Sequence, residues 1–198
     1  MNDTFRTIIS ISEGLYKEKG SRFIAFAFPV ANADEIKTHL SFLQKQYHDA
    51  RHICYAYVLG AVGEEFRAND NGEPSGTAGR PILGAIRSHN LTNILIAVVR
   101  YFGGIKLGTS GLITAYKAAA QDAIDNASVA EQIVYEHYAL QFEYSKINEI
   151  MRIIKEENAI IENQTMEEKC MISFKIRKKN AEKTINRLLK INVQIIRN

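Results

Sequence analysis

Cysteine is scarce in this chain: Cys54 and Cys170 are its only two in 198 residues, far apart and outside any C-x-x-C pair. That pattern reads as two reduced, buried thiols rather than a disulfide framework. Long hydrophobic runs are missing as well. No apolar stretch approaches the roughly 20 residues a bilayer span needs. The start, MNDTFRTIISISEG, lacks a basic region followed by an apolar core, so a cytoplasmic address is expected by default. Charge of one sign is not in excess either, since 25 basic residues against 22 acidic ones leave +3. So small a surplus does not announce a nucleic-acid protein.

What is present is ordinary globular composition, 46% hydrophobic and 24% charged, with room for one domain or two small ones. The charge is unevenly placed: 13 basic and 13 acidic residues through Val134, then 12 and 9 from Tyr135 onward. The surplus clusters at Lys175, Arg177, Lys178 and Lys179 and continues through Lys183, Arg187 and Lys190. Such a cluster serves either as a secondary basic surface for phosphate or as the solvated face of a helix.

Phe5 to Ile11 and Arg22 to Val30 read as two strands, joined around Gly20 by YKEKGS rather than by a tight two-residue turn. Ile36, Leu40, Leu43 and Tyr47 share one face of a helix over Ala33 to Tyr47, with Asn32 or Asp34 as its cap. His52 to Gly60 is a strand and Val62 to Ala68 a shorter partner. Arg80 to His89 is a helix with Pro81 in its first turn, and Ser110 to Ala127 is a longer, alanine-rich one. The pattern then restarts, giving β-α-β-β-α-β from Tyr135 to Arg197, the ferredoxin-like order. The expectation is an α+β chain with domains at 1–130 and 134–198. The first holds a mixed sheet with helices on one face.

The stretch from Asp70 to Leu112 organises the first domain. Two glycine-rich loops, DNGEPSGTAGRP and RYFGGIKLGTSGL, flank the apolar strand NILIAVV, and each precedes a helical segment. In the first loop, Pro74 holds Glu73 extended, and Ser75, Gly76, Thr77 and Gly79 offer successive N–H groups and hydroxyls for an anion. The same glycines equally permit close packing of loop on sheet. In the second, Arg100, Tyr101 and Lys106 beside Gly103, Gly104 and Gly108 suit phosphate contact and base stacking. Alternatively, Arg100 pairs with Asp70 or Glu73 across the loops, or these residues anchor a protein partner. Arg51 and His52 precede a strand that leads to the same groove.

Catalytic signatures are absent: no Walker loop, G-x-G-x-x-G, G-x-S-x-G or H-E-x-x-H occurs. His39, His48, His89 and His137 are scattered, so neither a metal nor a cofactor is expected. An enzyme would rest on His52 as acid/base with Glu73 or Asp70, and on Ser75 or Thr77 as nucleophile. A strand-end histidine is more commonly a hydrogen-bonded structural residue.

HICYAY (His52 to Tyr57), NGEPSGTAGRPIL (Asn71 to Leu83) and VVRYFGGIKLG (Val98 to Gly108) resemble the IMPACT family of small cytoplasmic proteins. The resemblance implies an amino-terminal domain like the fourth domain of translation elongation factor G and a second like its fifth. It also implies a role in translation: eukaryotic members regulate it by binding the activator of a stress kinase. The partner expected from it is RNA, the ribosome or a translation-linked protein, with no membrane, no DNA sequence preference, and a monomer or weak oligomer. One departure stands out. Where the family has Gly-Gly before the final leucine of the second loop, this chain has Ser110-Gly111, so Ser110 is expected either to be strained or to cap the helix.

Overall fold

The computed structural model describes residues 3–167 and 169–197, and the chain divides into two compact units. One spans Phe5–Gln132; the other runs from Ile133 on and takes in Asp3 and Thr4.

The first unit is built from β1 (Thr4–Ile8), β2 (Ser12–Glu18), β3 (Ser21–Pro29), α1 (Ala33–Gln46), β4 (His52–Leu59), β5 (Glu65–Asn69), α2 (Gly79–Ser88), β6 (Ile94–Tyr101), α3 (Gly108–Asp125) and β7 (Val129–Ile133). Five strands form one sheet in the order β2-β3-β6-β4-β5, and β1 pairs separately with β7. Every pairing in the larger sheet is antiparallel, so the expected mixed sheet is corrected. The crossover through α1 leaves β3 and β4 running the same way, but β6 lies between them antiparallel to both, so no two neighbours are parallel.

The helices also cover both faces rather than one. Ile82, Ile86, Ala115, Tyr116 and Ala119 pack with Phe23, Ala25, Cys54, Ile96 and Val98 on one side. Ile36 and Leu43 of α1 pack with Phe26, Phe28, Leu95, Ala97 and Val99 on the other. The reason lies in β6, whose residues are buried on both faces from Ile94 to Arg100. A strand that apolar throughout needs cover on each side. Asn32 caps α1 as expected, its Oδ1 accepting from the N–H groups of Asp34 and Glu35.

Two local expectations fail for identifiable reasons. The first half of YKEKGS lies within β2, and the joint to β3 is a two-residue turn. Lys19 and Gly20 both take positive φ, 47° and 76°, the twist that suits a tight hairpin. Ser110 sits inside the first turn of α3, whose cap position is Leu107. It is not among the residues with positive φ. Helical backbone accepts any side chain there, so Ser110 is neither strained nor a cap.

The second unit contains β8 (Tyr135–Phe142), α4 (Ile147–Glu156), β9 (Ile160–Met166), β10 (Cys170–Arg177), α5 (Lys178–Leu189) and β11 (Gln194–Arg197), in the order β11-β8-β10-β9 with antiparallel pairs. This is the ferredoxin-like arrangement the periodicity predicts, closed over a core of Leu140, Ile150, Ile153, Ile172, Phe174 and Leu188. Its basic cluster is partly neutralised from within. Arg177 pairs with Asp3, Lys183 and Arg187 share the buried Glu157, and Arg187 also reaches Glu156. Lys175 lies over the Tyr135 ring and 3.9 Å from Glu162. Lys178, Lys179 and Lys190 stand exposed with no such pairing among the described residues, and the paired Lys183 side chain is still 71% exposed, so part of the expected basic surface is tied up in structural ion pairs and part faces solvent. Among the described residues no helix is long and apolar enough to cross a membrane.

Candidate functional site

The end of β6 is where the core meets the loops. Register sets Phe23, Arg100 and His52 side by side on β3, β6 and β4. Arg100 follows Val98 by two, so it points to the face covered by α2 and α3. A guanidinium in that place needs a partner, and Glu73 reaches it from the first loop with Nη1 to Oε1 at 2.5 Å. The two side chains are only 8% and 4% exposed, and the choice that the sequence leaves open falls to Glu73 rather than Asp70. The same Glu73 oxygen accepts from the Tyr116 hydroxyl at 2.8 Å. The Cys54 thiol lies 3.3 Å from that hydroxyl and 2.9 Å from the Asp70 carbonyl. Phe23 and Phe102 flank the guanidinium at 5.4 and 5.7 Å. Arg100 Nε remains buried without a partner among the described residues, an omission that costs about 1–3 kcal/mol.

This network sets the chemistry of its members. Burial pushes the Cys54 thiol up to about 12 and raises Tyr116 as well. Neither group exchanges protons near neutrality.

Asp70 overturns the expected cradle in the first loop. Its Oδ2 accepts from Gly76 N–H at 2.8 Å, and its Oδ1 from Ala78 and Gly79 at 3.0 and 2.8 Å. The donors meant for an outside anion are thus taken by the chain's own carboxylate, which caps α2 from eight or nine residues upstream. Burial alone would raise Asp70, but the donors at Gly76, Gly79 and Ala78 and the charge of Arg80 outweigh it and hold the carboxyl below its usual range. Thr77 is 3% exposed, and its hydroxyl donates to the Pro74 carbonyl at 2.7 Å. Ser75 is exposed but does not line the groove described next.

A cleft of about 690 Å³ opens between the loops. Eight of the expected residues line it: Arg51, His52, Glu73, Pro74, Arg100, Tyr101, Lys106 and Gly108. Asp70, Ser75, Gly76, Thr77, Gly79, Gly103 and Gly104 do not. Gly103 instead serves packing, because a Cβ on it would lie 1.9 Å from the Gly20 carbonyl carbon. Its N–H accepts a further restraint by donating to Ser21 Oγ at 3.1 Å. His52 Nδ1 sits 2.9 Å from the Asn71 carbonyl. A carbonyl only accepts, so Nδ1 carries a proton, and in the neutral ring Nε2 is the acceptor.

Residues that the sequence reading missed complete the wall: Asp49, Phe102, Leu107, Thr109 and Leu112. Phe102, 55% exposed, was legible as a second aromatic beside Tyr101 in RYFGG. Asp49 was not, since only the fold brings it to Tyr101, whose hydroxyl donates to it at 2.7 Å. The two helix starts differ. That of α2 is filled by Asp70, while α3 has no capping side chain and no acid in its first turn; Gly108 and Thr109 of that turn line the cleft. Among the described residues no three His, Cys, Asp or Glu side chains gather as a metal site.

Residues 19–124 match the Impact N-terminal domain. The IMPACT family member YvyE of Bacillus subtilis is 35% identical over 141 residues, covering 71% of this chain and 65% of YvyE. YigZ of Escherichia coli, another IMPACT family member, is 34% identical over 138 residues, covering 69% of this chain and 68% of YigZ. A crystal structure of a hypothetical protein superposes with a TM-score of 0.76 at 25% identity, covering 100% of this chain and 98% of the other. The matched segment contains both loops and the whole cleft lining.

Proposed function

The chain belongs to the IMPACT family, and from that premise we propose that it is a non-catalytic binding protein of translation or its regulation, with the cleft as its contact surface for RNA, the ribosome or a translation-linked protein. The translation context comes from the family. The observation that carries the binding reading is the fate of the site's reactive groups. Glu73 is engaged by Arg100 and Tyr116, Asp70 by three backbone donors, and Thr77 by a carbonyl. What faces outward is Arg51, Lys106 and the aromatic Phe102. Such groups hold a ligand rather than transform it.

The competing reading is a small hydrolase or transferase with His52 as acid/base. Its support is the fixed tautomer, which leaves Nε2 as an acceptor. It lacks a partner, because both nearby loop carboxylates already accept from other groups. Co-sedimentation of the full chain with ribosomes, in rising salt, tests the first reading. Binding is expected to weaken steadily as salt rises and to drop in Lys106→Glu. Substrate turnover in a metabolite screen that disappears in His52→Ala would establish the second instead.

A further inference from the structure

We propose that the cleft takes one nucleotide unit of a single-stranded RNA, with the phosphate at the start of α3 beside Lys106 and the base on the Phe102 ring. The inference deepens the binding reading above and rests on it. Its first support is the open first turn of α3, where N–H groups lack a capping side chain or an acidic neighbour. Free N–H groups and the helix dipole favour an anion there.

The second support is independent of the helix. Arg100 lines the cleft, is 7% exposed, and has Nε without an acceptor among the described residues although Nη1 is satisfied by Glu73. A guanidinium that lines the cleft, is paired by only one carboxylate and has one N–H unpaired favours an anionic occupant over a cationic one. The acids of the lining are Asp49 and Glu73, and both already accept hydrogen bonds from within the fold. Arg51 and Lys106 have no such engagement among the described residues, and both line the cleft with a positive charge.

The aromatic decides the class of anion. Phe102 is 55% exposed on the cleft wall, a cost in water that a stacked base removes. A volume of about 690 Å³ lies within the range for one nucleotide-sized ligand.

The test uses the full chain, fluorescein-labelled oligo-uridylate of ten nucleotides, and AMP. Lys106→Glu is expected to weaken oligonucleotide binding at least tenfold and to reduce the slope of log affinity against log salt by about 0.7. Lys117→Glu, the same charge change further along α3, should stay within about twofold. Phe102→Ala is expected to cost roughly fivefold or more with the slope unchanged. Both variants alter exposed residues, and circular dichroism checks that each folds. Equal losses in Lys106→Glu and Lys117→Glu, or full affinity in Phe102→Ala, would overturn the site. AMP binding as tightly as the oligonucleotide would overturn the strand as its source. Should the oligonucleotide fail to bind while Lys106→Glu still abolishes ribosome co-sedimentation, the nucleotide assignment falls and the contact-surface reading stands. Should both be unaffected, both fall.

Discussion

Replacing Asp70 by Ala should destabilise the first unit far more than its position in a surface loop suggests. The carboxylate receives three backbone N–H bonds of 2.8, 3.0 and 2.8 Å. Bonds to an ionised group contribute about 1.5–3 kcal/mol each, and an orphaned buried donor costs about 1–3 kcal/mol. Ala78 and Gly79 are buried, so water reaches them poorly, whereas Gly76 is half-exposed. The expected loss is about 3–5 kcal/mol, a large part of a typical stability of ~5–15 kcal/mol. Asp70→Asn should cost less, about 1–2 kcal/mol, because one oxygen still serves Ala78 and Gly79 while the amide faces Gly76 donor to donor. Urea unfolding at pH 7 gives the difference, and hydrogen exchange at Gly76, Ala78 and Gly79 localises it. The folded-state carboxyl titrates below its ordinary value. Its contribution is therefore complete above the unfolded value near pH 4 and fades as pH falls through the depressed folded value. A loss under about 1 kcal/mol at pH 7, or a gap between wild type and Asp70→Ala that does not narrow in acid, would refute the capping argument.

Other consequences are open to the same kind of measurement. Glu73→Gln leaves Arg100 buried without its counter-charge and should cost about 3–5 kcal/mol in urea unfolding, much of it recovered when Arg100→Met is added. Ser110→Gly should lower stability by about 0.5 kcal/mol through helix propensity alone; a gain in melting temperature would mean that the backbone there favours glycine. Thr109→Asp places a carboxylate on the open turn of α3 and should stabilise the helix by about 0.3–1 kcal/mol while weakening oligo-uridylate binding, two effects of opposite sign in one variant.

Much of this fold is written in short-range pattern. The spacing of Ile36, Leu40 and Leu43 sets α1, alanine sets α3, and the β-α-β-β-α-β order of the second unit follows from periodicity alone. The burial of NILIAVV on both faces was equally visible, and it already implied cover on both sides of the sheet. The Lys19-Gly20 turn was obscured because a charged, lysine-rich stretch carries the alternation of β2 weakly. The site was legible only in its outline. Lys106, Arg51 and Pro74 do share one cleft, but the fate of each polar group depended on which partner the fold returned to it. Asp70 lies six to nine residues from the donors it caps, and Glu73 is 27 residues from Arg100 and 43 from Tyr116. No spacing rule covers such separations, so a loop that looks built to receive a foreign anion had already supplied its own.

The contact between Gly20 and Gly103 gives the second loop a fixed root and a permissive tip. At the root, main chain rests on main chain and no side chain fits. At the tip, a Cβ on Gly104 or Gly108 meets nothing within 4 Å, and only the positive φ of these two glycines, 89° and 70°, opposes substitution. Leu107 packs against the core below, but Ile105 and Lys106 are exposed, so these two positions can change side chain without disturbing the architecture beneath. Descendants of this chain can vary the loop tip while keeping the same frame.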